Sequence, residues 1–167
     1  IKSEGMNAIR ELRKKFPGHT ICADLKTMDA GSTEIEMAAK AGANIVFILG
    51  CSPDSCIREA ILAGKNYGVK VAADLISVTE PAKRAAELEK MGVDIINIHV
   101  GLDQQVLGFK PIELVRDVSK AVTPNVLISA AGGLNSETAV QAYEAGADII
   151  ILGGALYKAK SPEASAR

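Results

Sequence analysis

The sequence predicts an α/β fold, a (β/α)8 TIM barrel of which this chain covers about six βα units. Three observations predict this fold: near-continuous apolar runs of strand length, amphipathic stretches of helical length between them, and a glycine that recurs at the joints. The joint glycines are those at 18, 42, 68, 92 and 146. Three of the joints are near copies of one another, as repeated strand–helix units would produce.

The elements follow in chain order from a leading helix over about Gly5 to Lys15. The runs are apolar throughout rather than alternating, which is typical of parallel strands covered on both faces. Helices are expected to begin near Ser52, Thr79 and Asn135, which precede helical stretches as N-caps do. The six predicted strands are Ile21 to Leu25, Ile45 to Leu49, Val69 to Ile76, Ile95 to Val100, Val126 to Ile128 and Ile149 to Leu152.

The regular alternation favours a closed barrel over an open doubly wound sheet, because the Gly-Gly pairs follow the last two strands rather than the first. A barrel closes with eight strands, so about two N-terminal strands are expected to be missing. Ile1 stands where a Met would begin a gene product, and Ser161 to Glu163 looks like the opening of a final helix. We therefore expect residues 1–167 to be a single barrel domain, truncated at the N-terminus and in the last helix.

Composition and charge restrict the class of protein. The 19 Lys and Arg against 20 Asp and Glu give a net charge of −1, which argues against nucleic acid as a partner. The sequence has neither an apolar run long enough to span a membrane nor a signal-peptide pattern, so a cytoplasmic protein is expected. Cys22, Cys51 and Cys56 form no CxxC pair and are expected to be free and mostly buried thiols.

The first polar strand end is Asp24-Leu25-Lys26, where the two-residue period of a strand places Asp24 and Lys26 on one face. If these two residues stood by themselves, a structural ion pair would explain them. Asp29 follows on the loop, and two carboxylates around Lys26 would keep it charged, while one of them could bind a hard cation such as Mg²⁺. This arrangement favours a functional site over a structural pair.

Two further strand ends carry polar residues on the predicted inner face. Asp74 is in phase with Ala72 and is therefore expected to face the interior. Burial of a lone carboxylate costs too much free energy for a residue that only fills space. Asn97 and His99 share one face near the end of the next strand, where a histidine can exchange protons near neutral pH. A lone histidine in an apolar strand is more often a core residue, but at a strand end we favour a functional one.

Two glycine turns follow the last two strands. They are Gly132-Gly133 and Gly153-Gly154, and the second opens a short helical stretch over Ala155 to Lys158. Glycines allow backbone N–H groups to approach an anion, and this pair of loops is a common phosphate site in barrels. Tight turns without a ligand are the alternative interpretation.

These residues resemble a known family. Asp24-Leu25-Lys26-Thr27-Met28-Asp29-Ala30-Gly31 is similar to the DxKxxD signature of the orotidine monophosphate decarboxylase suprafamily, in the form typical of the 3-hexulose-6-phosphate synthases. The segments His99 to Gln105, Ala131 to Leu134 and Gly153 to Ala155 also resemble that family. The similarity covers essentially the whole chain in order.

The resemblance implies an aldehyde-lyase of the ribulose monophosphate pathway of formaldehyde assimilation. Formaldehyde would condense reversibly with D-ribulose 5-phosphate to D-arabino-hex-3-ulose 6-phosphate, through an enediolate stabilised by Mg²⁺. By resemblance, Asp24 binds the metal, Lys26 the enediolate oxygen and Asp74 a sugar hydroxyl, and His99 shuttles the proton. The glycine loops hold the phosphate. A homodimer with shared sites is implied, in which Asp29 reaches the partner's site.

The resemblance also implies an Asp on the first strand and a Glu metal ligand on the second strand of the family's barrel, both of which would lie upstream of Ile1. Two alternatives stay open. One is 3-keto-L-gulonate-6-phosphate decarboxylase, whose family carries arginines where this sequence has Leu102 and Gly154. The other is a catalytically incomplete barrel segment that only binds phosphosugars.

Overall fold

Six parallel strands form one sheet in the computed structural model, which describes residues 3–166. The strands pair in chain order, each with the next along the sequence. They are β1 (Cys22–Thr27), β2 (Ile45–Leu49), β3 (Lys70–Asp74), β4 (Ile95–His99), β5 (Leu127–Ala131) and β6 (Ile149–Ile151). The predicted α/β class with six parallel strands is confirmed.

One helix precedes the first strand, and the others lie between and after the strands. Their apolar residues recur at helical spacing, as at Ile35, Ala38 and Ala41, which are all buried. The helices are α1 (Asn7–Lys15), α2 (Gly31–Ala41), α3 (Asp54–Tyr67), α4 (Pro81–Met91), α5 (Leu102–Val106), α6 (Pro111–Ala121), α7 (Ser136–Glu144), α8 (Gly154–Tyr157) and α9 (Pro162–Ser165). No helix in residues 3–166 is both long enough and apolar enough to cross a membrane.

Three of the five joint glycines, Gly42, Gly68 and Gly92, directly follow a helix as predicted, whereas α1 and α7 are followed by Phe16 and Ala145. Gly42 and Gly92 follow α2 and α4 with φ of 105° and 97°, a left-handed conformation that glycine adopts without strain. Of the three predicted N-caps only Asn135 caps its helix, where its side chain accepts from the N–H groups of Glu137 and Thr138. Ser52 instead donates to the carbonyl of Thr27, and the N-cap position of α4 is Glu80 rather than Thr79.

The sheet has two different faces. Its outer face packs on the helices through the main core, which contains Val46, Val71 and Ile96. Its inner face carries a smaller apolar cluster of Phe47, Ala72 and Ile95. Residues from β1 and β6 line the same cavity on that inner face, so the sheet curls, as it does in TIM barrels.

Three strand ends differ from the sequence prediction by two residues or more. β1 extends two residues further, to Thr27, through a register shift between Asp24 and Thr27. β3 is shorter at its end, because the Asp74 carboxylate accepts a hydrogen bond from the Ile76 N–H and folds the chain into a turn. β5 extends to Ala131, since its small residues Ser129 to Ala131 continue to pair with β6.

The expectation of mostly buried thiols is wrong. Cys56 is buried, but Cys22 and Cys51 are exposed. Cys22 alternates with buried Ala23 on β1 and therefore lies on the inner face, where it lines the cavity. Cys51 lies in the turn that follows β2.

Candidate active site

A cavity of about 830 Å³ opens on the inner face of the sheet, at the carboxyl ends of the strands. Asp24, Asn97 and His99 line it from one side, and the two glycine turns line it from the other. Catalytic groups of parallel α/β barrels gather at this end of the strands. The sequence prediction for the place of the site therefore agrees with the position of the cavity.

The end of β1 is irregular, and the irregularity directs Lys26. This residue has φ of 53°, which is unusual for a side chain larger than glycine. Its Nζ lies 3.1 Å from both carboxylate oxygens of Asp24 and 2.6 Å from Oδ2 of Asp74. Backbone strain of this kind costs on the order of 1–3 kcal/mol and is concentrated at functional sites.

The expected arrangement of Lys26 between Asp24 and Asp29 is wrong for this chain. Asp29 is exposed, and its Oδ1 accepts from the N–H of Ala30. The second carboxylate on Lys26 belongs to Asp74, 48 residues away in sequence. The chain leaves the regular strand here, because the register shifts between Asp24 and Thr27 and Ala30 takes a left-handed conformation directly after Asp29.

The Asp74 side chain is 0% exposed and accepts three hydrogen bonds. Its Oδ2 accepts from Lys26 and contacts Nδ1 of His99 at 2.9 Å, and its Oδ1 accepts from the N–H of Ile76. Burial by itself would raise the pKa of Asp74, but the hydrogen bonds from His99 and Lys26 outweigh it and hold the pKa below its usual value. Asp74 is therefore a buried carboxylate that joins Lys26 to His99.

The same contacts stabilise the charged form of Lys26. Burial would lower the pKa of Lys26, but its hydrogen bonds and charge interactions with Asp74 and Asp24 raise it above the ordinary value. Lys26 thus carries a positive charge beside the cavity. A fixed ammonium group of this kind can stabilise an oxygen atom that gains negative charge during a reaction.

His99 ends β4 at the edge of the cavity, as predicted from its phase with Asn97. Because Nδ1 faces the Asp74 carboxylate, Nδ1 carries the proton and Nε2 is left for proton exchange. Asn97 lies two residues deeper on the same face, and its Oδ1 accepts from the Ser129 hydroxyl at 2.7 Å. Asn97 can be predicted from the sequence by its phase with His99, whereas Ser129 has no neighbouring polar motif that marks it.

The first glycine turn is required by the backbone itself. Gly132 has φ of 102°, and a Cβ there would lie 2.2 Å from the carbonyl oxygen of Val100. Gly133 has φ of 68°, and a Cβ there would lie 2.9 Å from Oε1 of Gln105. Both glycines line the cavity, but the fold alone already explains them.

The second glycine turn is different. A Cβ on Gly153 or Gly154 would meet no atom closer than 3.9 Å, and neither residue has a positive φ. The two residues also line the cavity. Local packing does not require glycine here, so the open space beside this backbone is available to a ligand.

The site supplies part of a metal-binding set. Within residues 3–166 there is no group of three or more His, Cys, Asp or Glu side chains that could hold a metal ion. The Asp24 side chain is 55% exposed on the cavity. Mg²⁺ is commonly held by one or two carboxylates together with waters and substrate oxygens, so Asp24 fits as one ligand of such a site.

Comparison with known proteins identifies the family of this chain. The profile of the Orotidine 5'-phosphate decarboxylase / HUMPS family matches residues 1–167. A 3-hexulose-6-phosphate synthase of Methylomonas aminofaciens is 42% identical over 166 residues, which are 99% of this chain and 79% of the relative. A second 3-hexulose-6-phosphate synthase, from Mycobacterium gastri, is 38% identical over 168 residues, which are 100% of this chain and 80% of the relative.

Solved structures give the same result. The structure of 3-hexulose-6-phosphate synthase from Salmonella typhimurium superposes with a TM-score of 0.93 at 36% identity, over 98% of this chain and 77% of that one. A 3-keto-L-gulonate-6-phosphate decarboxylase from Vibrio cholerae has a TM-score of 0.82 at 22% identity, over 98% and 76%, which shows a shared fold. The resemblance drawn from the DxKxxD segment is confirmed.

Proposed function

The chain belongs to the Orotidine 5'-phosphate decarboxylase / HUMPS family, and we propose that it catalyses the reversible aldol condensation of formaldehyde with D-ribulose 5-phosphate. The product is D-arabino-hex-3-ulose 6-phosphate, and the enzyme is an aldehyde-lyase. Relatives at 34–42% identity over nearly the whole chain are named 3-hexulose-6-phosphate synthase. The observation that carries the proposal is the hydrogen-bonded group of Asp24, Lys26, Asp74 and His99 at the cavity.

The proposed reaction begins with loss of a proton from C1 of ribulose 5-phosphate to Nε2 of His99. The electron pair left behind spreads over the 1,2-enediolate, whose negative oxygen lies beside the ammonium group of Lys26. C1 then forms a bond to the aldehyde carbon, and the pair of the aldehyde C=O bond moves to its oxygen. That oxygen takes the proton from His99, while the C2 carbonyl re-forms.

The roles of the protein groups follow from their contacts. Lys26 stabilises charge that appears only as the enediolate forms, so it contributes to kcat more than to ground-state binding. The family resemblance implies that Asp74 binds a sugar hydroxyl, and we propose this role for it. Both of its oxygens already accept hydrogen bonds from the protein, which supports a second role in holding Lys26 and the Nδ1–H tautomer of His99.

The cofactor we propose is Mg²⁺ with Asp24 as a ligand. When bound, a divalent cation there would polarise the enediolate oxygens. The test is activity after treatment with a chelator, followed by addition of Mg²⁺. Activity that persists without any divalent cation would remove the metal from the proposal.

The glycine turns are the proposed site for the substrate phosphate. The support is strongest at Gly153 and Gly154, where open space lies beside backbone that no packing constraint explains. Gly132 and Gly133 lie on the neighbouring strand end of the same cavity. A crystal structure with ribulose 5-phosphate tests this, and phosphate density away from both turns would contradict it.

We propose a homodimer in which Asp29 acts in the partner's site. Asp29 is exposed, and Lys26 donates to Asp24 and Asp74 rather than to Asp29, which supports a role for Asp29 outside its own cavity. Mixed dimers of Lys26→Ala and Asp29→Ala subunits provide the test. If the sites are shared, each variant alone is inactive and the mixture regains about a quarter of the activity per subunit of the natural enzyme. A mixture without recovery would assign Asp29 to its own site or to none.

The alternative decarboxylase has less support. Leu102 and Gly154 both line the cavity, so the two places where that family carries arginines are inside the site and are uncharged here. Assays of formaldehyde with ribulose 5-phosphate, and of 3-keto-L-gulonate 6-phosphate, separate the two activities directly. Binding of either sugar phosphate without turnover would identify a phosphosugar-binding segment instead.

Two finer points belong to the proposal. Within residues 3–166, β1 and β6 each pair with one strand, and the sheet curls, which supports a closed barrel of eight units. A crystal structure of the enzyme would test closure. The cytoplasmic location and the single-domain assignment of residues 1–167 stay predictions.

A further inference from the structure

A buried polar pair lies in the otherwise apolar floor of the cavity. Asn97 is 2% exposed and Ser129 is 1% exposed, and the Ser129 hydroxyl donates to Oδ1 of Asn97. Their neighbours on the inner face are apolar, including Ile95, Leu127 and Ile149. Burial of two polar side chains costs free energy that the proposed mechanism so far does not explain.

The amide of Asn97 has a free donor. A side-chain amide offers one acceptor oxygen and two N–H donors on nitrogen. Oδ1 is occupied by Ser129, and among the described residues no acceptor lies on Nδ2. Every fully enclosed side-chain N or O atom in the described chain has a hydrogen-bond partner, so Nδ2 is not fully enclosed. Since Asn97 lines the cavity, Nδ2 reaches that space.

The sheet register places this donor beneath the reacting groups. Asp74, Asn97 and Ser129 pair in a row across β3, β4 and β5. His99 follows Asn97 by two residues on the same face, roughly 7 Å further along the strand. Asn97 therefore lies one layer below the catalytic proton carrier and beside the carboxylate that holds Lys26.

We propose that Asn97 is a further substrate-binding residue whose Nδ2 donates a hydrogen bond to a carbonyl or hydroxyl oxygen of the bound reactants. Ser129 is a positioning residue that holds the amide with Oδ1 turned away from the cavity and Nδ2 turned toward it. The proposal rests on the proposed aldol reaction for the identity of the reactants. The aldehyde and the pentulose phosphate both offer such an oxygen, and the experiment distinguishes them.

The main test is the double variant Asn97→Leu with Ser129→Ala. It removes both partners of the buried hydrogen bond, so neither is left unsatisfied and the fold is preserved. We expect the KM for one reactant to rise about tenfold, with thermal unfolding little changed. A rise for formaldehyde assigns the oxygen to the aldehyde. A rise for ribulose 5-phosphate, with weaker binding of that sugar alone in calorimetry, assigns it to the sugar.

Two single variants complete the test. Asn97→Asp keeps the shape but replaces the donor by an acceptor, and we expect the same KM to rise at least as much as in the double variant. Ser129→Ala keeps the Asn97 amide but removes the hydrogen bond that orients it, so we expect a smaller rise of that KM. Folded variants of Asn97 with unchanged KM and kcat for both reactants would overturn the proposal.

Failure of the proposal and failure of the proposed function are distinguishable. If the natural sequence does not condense formaldehyde with ribulose 5-phosphate, the proposed reaction is wrong whatever the Asn97 variants do. If the natural sequence is active and the Asn97 variants match it, the reaction stands and the role of Asn97 is wrong.

Discussion

The two walls of the cavity are built on different principles. The wall from β1 to β4, which we call the charged wall, contains the hydrogen-bonded group of Asp24, Lys26, Asp74 and His99. Of these residues, Asp24 and His99 line the cavity directly. The wall from β5 and β6, which we call the glycine wall, presents two turns without charged side chains, Gly132-Gly133 and Gly153-Gly154. The first wall offers charged side chains to a ligand, whereas the second offers backbone and open space.

The difference predicts how each wall responds to substitution. Groups of the charged wall depend on one another, because the buried carboxylate of Asp74 contacts both Lys26 and His99. Positions of the glycine wall depend on local sterics, and these differ between the two turns. Loss of a charged group should therefore reduce kcat, whereas added bulk on the glycine wall should reduce either stability or substrate binding.

The largest expected effect is that of Lys26→Ala on the charged wall. Removal of a preorganised donor to a developing oxyanion costs about 2.7–4 kcal/mol, so we expect kcat to fall by about 10²–10³-fold. The affinity for ribulose 5-phosphate, measured by calorimetry, should change much less. Lys83→Ala, which removes an exposed lysine paired with Glu80 on α4, is the matched control. A Lys26→Ala enzyme with normal kcat would break the contrast between the walls.

The second effect is on the stability of the glycine wall. In Gly132→Ala the new Cβ would lie 2.2 Å from the Val100 carbonyl oxygen, at φ of 102°. Such strain should lower the free energy of unfolding by more than about 2 kcal/mol, or the melting temperature by roughly 4 °C or more. Thermal unfolding measures it. An unchanged melting temperature would show that this turn is not held by packing.

The third effect is a pH dependence that belongs to Asp74. Its pKa is held below the ordinary value of 3.8, so its stabilising contribution is complete above that value and is lost as the pH falls through the lower folded pKa. Denaturant unfolding of Asp74→Asn against the natural sequence should show a difference that is constant above about pH 5 and shrinks below pH 4. A pH-independent difference would indicate a purely steric role.

The control for Asp74 is Glu80→Gln, because Glu80 is an exposed carboxylate paired with Lys83. Surface ion pairs contribute about 0–1 kcal/mol, so we expect little change at any pH.

The smallest effect distinguishes the two glycine turns. Gly153→Ala adds a Cβ with no atom nearer than 3.9 Å, so the melting temperature should stay within about 2 °C of the natural one. If the turn approaches the phosphate, KM for ribulose 5-phosphate should rise a few-fold while kcat changes little. Unchanged KM would leave this turn without a role in substrate binding.

The strands could be predicted from the sequence because each strand contains a nearly continuous run of apolar residues that are neighbours in the chain. The predicted range Ile45 to Leu49 matches β2, and the inward phases of Asp74 and His99 are also as predicted. Side chains alternate between the two faces of a regular strand. A polar residue two positions from an inward-facing neighbour is therefore predicted to face inward, even when its partner on another strand is unknown.

The tertiary structure decided which of these groups meet. The Lys26–Asp74 contact joins residues 48 positions apart and depends on a register shift that no local pattern reveals. Lys26 pairs with Asp74 rather than with Asp29, although nearness in sequence favours Asp29. Likewise, the sequence alone marked four glycines as equal, and only the packing around them separates the two that the backbone requires from the two that it does not. Periodicity is local, whereas contacts across the sheet depend on how the strands align.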